Sequence, residues 1–149
     1  MIPATSLFSR AGRVYVRAEG WIDKLQSFAA LAIRVYLAYV FLASALTKIN
    51  DWNITVALFE NEYHVPLLSP AAAALLGTTA EFALPLLLLA GFGTRLAALA
   101  LFAFNFVAVI SYPDLSDAGL KDHILWGTLM LVLAVYGPGK LSVDRLLSR

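Results

Sequence analysis

Cysteine is absent from this 149-residue chain, and histidine and methionine occur only twice each. Without a thiol there is no thiol–disulfide relay, no thiolate zinc site and no thiolate-held iron–sulfur cluster within the chain. The same absence leaves the redox compartment open. Charge is scarce too. Charged residues make up 14% of the chain and the net charge is +1, which gives no electrostatic basis for binding nucleic acid. What fills the chain is apolar: 60% of residues are hydrophobic, and the charges fall in narrow bands between long apolar runs. Such a composition lies outside that of ordinary soluble domains.

The apolar runs predict an all-α integral membrane four-helix bundle, with spans at about 28–47, 70–90, 96–112 and 120–137. The fourth is plain only over 124–136, which as a helix covers about 20 Å. A hydrocarbon core of about 30 Å requires more, so the span is extended to 120 and 137, bringing Lys121, Asp122 and His123 to headgroup depth. Residues 28–149 form the spanning domain and 1–27 a cytoplasmic or interfacial segment. Within that segment Trp21, Ile22, Leu25 and Phe28 recur at helical spacing, and 10–26 reads as an amphipathic helix on the membrane surface. Charge follows Arg10, Arg13 and Arg17, so no cleaved signal is expected. Residues 141–147, after the helix breakers Gly137-Pro138-Gly139, read as a short C-terminal amphipathic tail.

Charge bias sets an expected orientation. Arg10, Arg13, Arg17, Lys24, Arg95, Lys140, Arg145 and Arg149 fall at one end of the bundle, whereas only Lys48 and Lys121 lie towards the other. The positive-inside rule then puts both termini and the Gly91–Arg95 turn in the cytoplasm. The acidic and aromatic segment 50–69 faces out, with a short helix expected over 54–62.

Two charges interrupt spans: Arg34 in the first and Glu81 in the second. A charge inside a span costs about 2.5–3.5 kcal/mol on insertion scales and usually has a partner, so an Arg34–Glu81 pair is expected, with Asn105 completing a polar layer. Proton exchange at Glu81 is the functional alternative to a purely structural pair. Pro85 deepens the interest, because it removes the hydrogen bond to the Glu81 carbonyl. A second cluster is expected at the outer face: Lys48 and Trp52 after the first span, with Asp122, His123 and Trp126 at the start of the fourth. Neutral imidazole there would hydrogen-bond a ring-shaped ligand such as a quinone; the competing reading is an interfacial cap of aromatic and snorkelling side chains. Bis-histidine haem ligation would need His64 as well as His123, and a carboxylate–histidine metal set would need Glu62, His64, Asp122 and His123. No metal site is expected.

The chain resembles the DoxX family of small four-span bacterial membrane proteins. The resemblance rests on Arg34, the stretch Phe41-Leu42-Ala43-Ser44-Ala45-Leu46-Thr47-Lys48, Trp52, Leu58-Phe59 and Glu62-Tyr63-His64-Val65-Pro66. It continues through Glu81, Pro85, Gly91-Phe92-Gly93-Thr94-Arg95, Asp122-His123, Trp126-Gly127, Gly137-Pro138-Gly139, Ser142 and Asp144, and so covers roughly 30–148. It implies a four-helix membrane bundle associated with quinone-linked redox systems, and marks Arg34, Lys48, Glu81, Arg95 and His123 for attention. The leading expectation is an accessory subunit of a membrane oxidoreductase, binding lipid, a membrane or periplasmic protein partner and a quinone. A non-catalytic scaffold docking a partner through 50–66 is the main alternative. A small-solute or metal-ion transporter is the third; its homo-oligomer would pack through the small-residue runs 71–74 and 97–98.

Overall fold

The computed structural model describes the backbone of residues 4–148, and the side chains of that stretch other than residues 4–11, 13–19, 23 and 24. Helices α1 (Ala4–Asn50), α2 (Trp52–Asn61), α3 (Pro70–Ala90), α4 (Thr94–Ser111), α5 (Asp117–Tyr136) and α6 (Val143–Leu147) follow one another, with no strand among the described residues. Four stretches are long and apolar enough to cross a membrane: Gly20–Asn50, Pro70–Ala90, Thr94–Ser111 and Asp117–Tyr136. The chain is therefore a multi-pass membrane protein of the expected all-α class. The short helix expected between the first two spans is also present, as α2, with the Asp51 carboxylate capping its first turn.

One expectation changes. The surface helix over 10–26 and the first span are a single helix of 47 residues, about 70 Å long at 1.5 Å per residue. No proline interrupts this stretch, and Gly12 and Gly20 weaken a helix without ending it. Trp21, Ile22, Leu25 and Phe28 are each more than 60% exposed, so the bundle does not cover this face. The amphipathic character expected for residues 10–19 rests on side chains outside those described.

The long helices pack in chain order, α1 on α3, α3 on α4 and α4 on α5, with a sparser contact between α5 and α1 closing the ring. Leu37, Phe41, Leu88, Leu101, Met130 and Leu133 fill the centre. Ala73, Ala74, Ala97 and Ala98 are all buried within the protomer. These four alanines let the helices of one bundle approach each other, while Ala71 of the same run is exposed.

Arg34 is 1% exposed, and its partners are main-chain carbonyls. Nε donates to Leu88 O at 2.6 Å and Nη2 to Leu89 O at 2.7 Å, while Nη1 donates to Pro138 O at 3.1 Å and Leu141 O at 2.7 Å. The last carbonyls of a helix lack intrahelical donors and carry the negative end of its dipole. The guanidinium fork serves two such regions together, the end of α3 and the segment after α5. Gly91 makes room for it: its φ is +69°, and a Cβ there would lie 2.6 Å from Arg34 Nη2. Any other residue would meet strain and a collision.

The C-terminal segment completes this end. The Asp144 carboxylate accepts from Gly93 N at 2.7 Å and Thr94 N at 2.9 Å, and Asp144 N donates to Gly91 O at 2.9 Å. It supplies from α6 the N-terminal cap that Gly93 lacks. Burial would raise the Asp144 carboxyl, but the Thr94 and Gly93 N–H groups and the Arg34 charge bring it below its ordinary value.

Arg34→Leu leaves these carbonyls without their donor, and we expect a loss of about 3 kcal/mol or more in detergent-micelle unfolding. Arg34→Lys should recover only part, since a point ammonium lacks the fork; wild-type stability in the leucine variant would refute the clamp. Because the folded Asp144 pKa lies below the unfolded one, its contribution is present above the ordinary carboxylate pKa and disappears as pH falls through the folded value. C-terminal proteolysis should therefore accelerate in that acid window. In Asp144→Asn it should be faster at neutral pH and nearly independent of pH.

Candidate functional site

The expected Arg34–Glu81 pair does not form. Glu81 pairs with Lys48, whose Nζ lies 2.9 Å from Oε1 and 2.7 Å from Oε2. Ser44, one turn before Lys48 on α1, accepts from Nζ at 2.8 Å and donates to Glu81 Oε1 at 3.3 Å. The two charged side chains are 12% and 8% exposed. Asn105 takes no part in this group. The reason is the lean of helical side chains towards their own N-terminus. α1 and α3 run in opposite directions, so Lys48, near the end of α1, leans back along the bundle while Glu81 leans towards the start of α3 to meet it. Arg34 leans away, towards the opposite end.

The ion pair borders an apolar pocket of about 250 Å³ between α2, α3 and α4. Phe59, Tyr63 and Phe104 form walls, and Leu76 and Val107, both exposed on the outside of the bundle, mark its lipid side. Phe59 stacks on Tyr63 with centroids 4.9 Å apart, and Tyr63 on Tyr112 at 5.0 Å. The His64 N–H donates to Ser111 O at 2.7 Å, tying the segment after α2 to the end of α4. Ser111 lines the pocket with its Oγ buried and without a hydrogen-bond partner. Burial, followed by the charges of Glu81, Tyr112 and Glu62, raises the Tyr63 phenol, which stays a donor at neutral pH. Glu81 accepts three hydrogen bonds of the roughly four a carboxylate can take. Apolar walls, a proton-carrying hydroxyl at Tyr63, an unused one at Ser111 and spare acceptor capacity at Glu81 therefore converge.

Asn105, His123 and Trp126 do come together, elsewhere. Asn105 Nδ2 donates to His123 O at 3.0 Å, which leaves Oδ1 to accept from His123 Nδ1 at 2.7 Å. That arrangement places the imidazole proton on Nδ1 and the lone pair on Nε2. The ring meets Trp126 edge-on at 4.9 Å, and Trp126 Nε1 donates to Tyr36 at 3.2 Å. A cavity of about 270 Å³ adjoins His123 and Asn105 between α4 and α5. Its walls include Phe106 and Ile124, 58% and 60% exposed, so it is a groove on the lipid-facing side. Lys48 and Trp52, expected in the same cluster, are not part of it. Trp52 and Asp122 are exposed and line neither cavity. Among the described residues no three histidines or carboxylates stand close enough to hold a metal, so the weighed set of Glu62, His64, Asp122 and His123 is not assembled.

A model of the DoxX family matches residues 29–113, more than half of the chain. The chain belongs to the DoxX family. Arg34, Lys48, Glu81 and Arg95 lie inside the matched stretch; His123, Trp126 and the 137–139 turn, which the resemblance also included, lie beyond it. No curated protein and no solved structure matches the chain. Two polar residues of this DoxX protein's site were missed from the sequence: Ser44, which bridges the ion pair and for which one-turn spacing from Lys48 was the available signal, and Ser111 in the pocket wall, for which there was none.

Removing one partner of a buried pair strands the other charge. Lys48→Met should cost about 3 kcal/mol in micelle unfolding, and adding Glu81→Leu should restore most of that loss. Equal stability of the single variant and wild type would show that the pair contributes nothing.

Proposed function

We propose that this DoxX protein is an accessory subunit of a quinone-linked oxidoreductase system of the bacterial inner membrane, with both termini in the cytoplasm. The observation that carries the reading is the pocket bordered by Lys48 and Glu81, with the unused Ser111 hydroxyl, open on the side of Leu76 and Val107. A quinone ring fits its chemistry. The ring packs between Phe59 and Phe104, a carbonyl accepts from Ser111 or Tyr63, and the isoprenoid tail leaves towards lipid. When the ligand is reduced, a quinol hydroxyl donates to the remaining acceptor position of Glu81. The volume lies below the range of about 300–1,000 Å³ usual for drug-sized ligands, which suits a single ring and not a haem. The reading moves the ring ligand from the His123–Trp126 region to this pocket and keeps Glu81 as the proton-exchanging group. With no cysteine couple in the chain, electrons would come from a partner protein.

The orientation is supported by charge. Arg95, Lys140 and Arg145 lie at the end where α3 ends and α4 begins, and Asp51, Glu60, Glu62, Asp114 and Asp117 at the other. One observation favours the scaffold alternative: Leu67 in the outer segment is fully exposed and held at φ 66°, beside Leu68 and with Ile54 68% exposed on α2. Phe59 is buried in the pocket wall, so docking would use Ile54 and Leu67 instead.

Protein purified in mild detergent should carry quinone close to one per chain in a solvent extract. The Lys48→Met/Glu81→Leu double variant, checked to unfold as the wild type does, should lose at least tenfold of it. Quinone content unchanged by that double substitution would overturn the site. A quinone-free wild type that cross-links a partner from Leu67 would favour the scaffold.

A further inference from the structure

At the opposite end of the bundle a groove of about 1020 Å³ runs between α1, the start of α4, the end of α5 and α6. Its walls are apolar, with Ile22, Ile33, Leu96, Val132 and Tyr136 among them. Leu96 and Tyr136 are 76% and 66% exposed, so the groove continues onto the lipid-facing surface. Three cations line it: Arg95 in the first turn of α4, Lys140 after α5, and Arg145 on α6. Among the described residues the single ion pair is Lys48–Glu81, so none of these three has a carboxylate partner there. The acid on the groove, Asp144, has both oxygens engaged by the Gly93 and Thr94 N–H groups. A wide apolar trough, lipid-exposed along one side and carrying three cations with no ion-pair partner among the described residues, selects an occupant with an anionic head and acyl chains.

We propose that this groove seats an anionic glycerophospholipid, its phosphate among Arg95, Lys140 and Arg145 and its chains over Leu96, Val132 and Tyr136. Basic pockets between spanning helices at the membrane surface are suited to anionic headgroups. The shared chemistry is a phosphate oxyanion, which free phosphate could also supply. Two features favour the lipid: the apolar walls, which a soluble anion would leave uncovered, and the unbroken helix α1, whose exposed Ile22 forms one wall beside Trp21 and Leu25. A zwitterionic lipid brings its own cation and compensates the rim less well. The inference is independent of the quinone pocket, which lies at the other end of the molecule.

Delipidated full-length protein in neutral detergent provides the test, read by native mass spectrometry and by melting temperature. Phosphatidylglycerol should be retained and should raise the melting temperature; phosphatidylcholine and inorganic phosphate should do neither. The triple variant Arg95→Ala/Lys140→Ala/Arg145→Ala should weaken phosphatidylglycerol retention about tenfold or more. Lys121→Ala, an exposed cation at the other end, should leave retention unchanged. Equal retention of the two lipids, a melting shift reproduced by phosphate alone, or full retention in the triple variant would each overturn the proposal. The three rim residues are exposed or part of a surface turn. If the triple variant nevertheless melts early before lipid is added, Lys140→Glu/Arg145→Glu serves in its place, with abolished retention expected and unchanged retention overturning.

Discussion

The fold turns on how one charge is kept out of water. The Arg34 guanidinium sits on the buried face of α1, with Leu37, Ala38 and Phe41 following it in the core. An arginine in that position is stable only if its donors are satisfied and its charge is compensated. The compensation comes from the backbone. Leu88 and Leu89 at the end of α3, and Pro138 and Leu141 after α5, turn their carbonyls to it. Bringing two helix ends to one side chain dictates the turns around it. Gly91 must be glycine because Arg34 occupies the space a Cβ would take. The chain after α5 must fold back, and once it does, Asp144 reaches the first N–H groups of α4. The C-terminal segment is thus part of the bundle's closure, with Leu141, Leu146 and Leu147 left exposed on its other face.

This also bears on what a family match over 29–113 means. The matched stretch contains Arg34 and two of its four acceptors; the other two lie in residues 138–141. The segment that carries the family pattern therefore holds a buried arginine whose remaining partners lie beyond the match. α5 and the turn after it are required by the physics of Arg34.

Hydropathy made the four spans legible, because a hydrocarbon core sets the length and composition of what crosses it. The α2 helix and the breakers at 137–139 were legible for similarly local reasons. The pairing of the charges was not. Depth counted along each helix locates Cα atoms, and on that measure Arg34 and Glu81 lie nearer one another than Lys48 and Glu81 do. Side chains lean towards the N-terminus of their own helix, so on antiparallel helices Lys48 and Glu81 converge while Arg34 and Glu81 diverge. That correction uses only helix direction and was available from the sequence. The role of Asp144 was not, because it depends on a chain reversal that no local pattern encodes. His123 shows the intermediate case: Trp126 could be read beside it from spacing on one helix, whereas depth alone did not reveal the Asn105 contact, because contact between α4 and α5 is a tertiary fact.

The two interior charges then divide the molecule by their remaining capacity. Arg34 is occupied by backbone groups that cannot change charge and cannot leave without unfolding two helix ends, which makes it a fixed strut. Glu81 is held by side chains, Lys48 and Ser44, that can rearrange without disturbing a helix ladder. It also borders a cavity where Ser111 has hydrogen-bonding capacity unused. A buried hydroxyl without a partner costs free energy that a bound acceptor recovers, so a ligand that accepts from Ser111 would stabilise this pocket. Chemistry that needs a proton to come and go belongs with a group whose partners are mobile. On that ground Glu81, and not Arg34, is the interior charge suited to exchanging a proton, and the Arg34 end is what holds the helices around it in place.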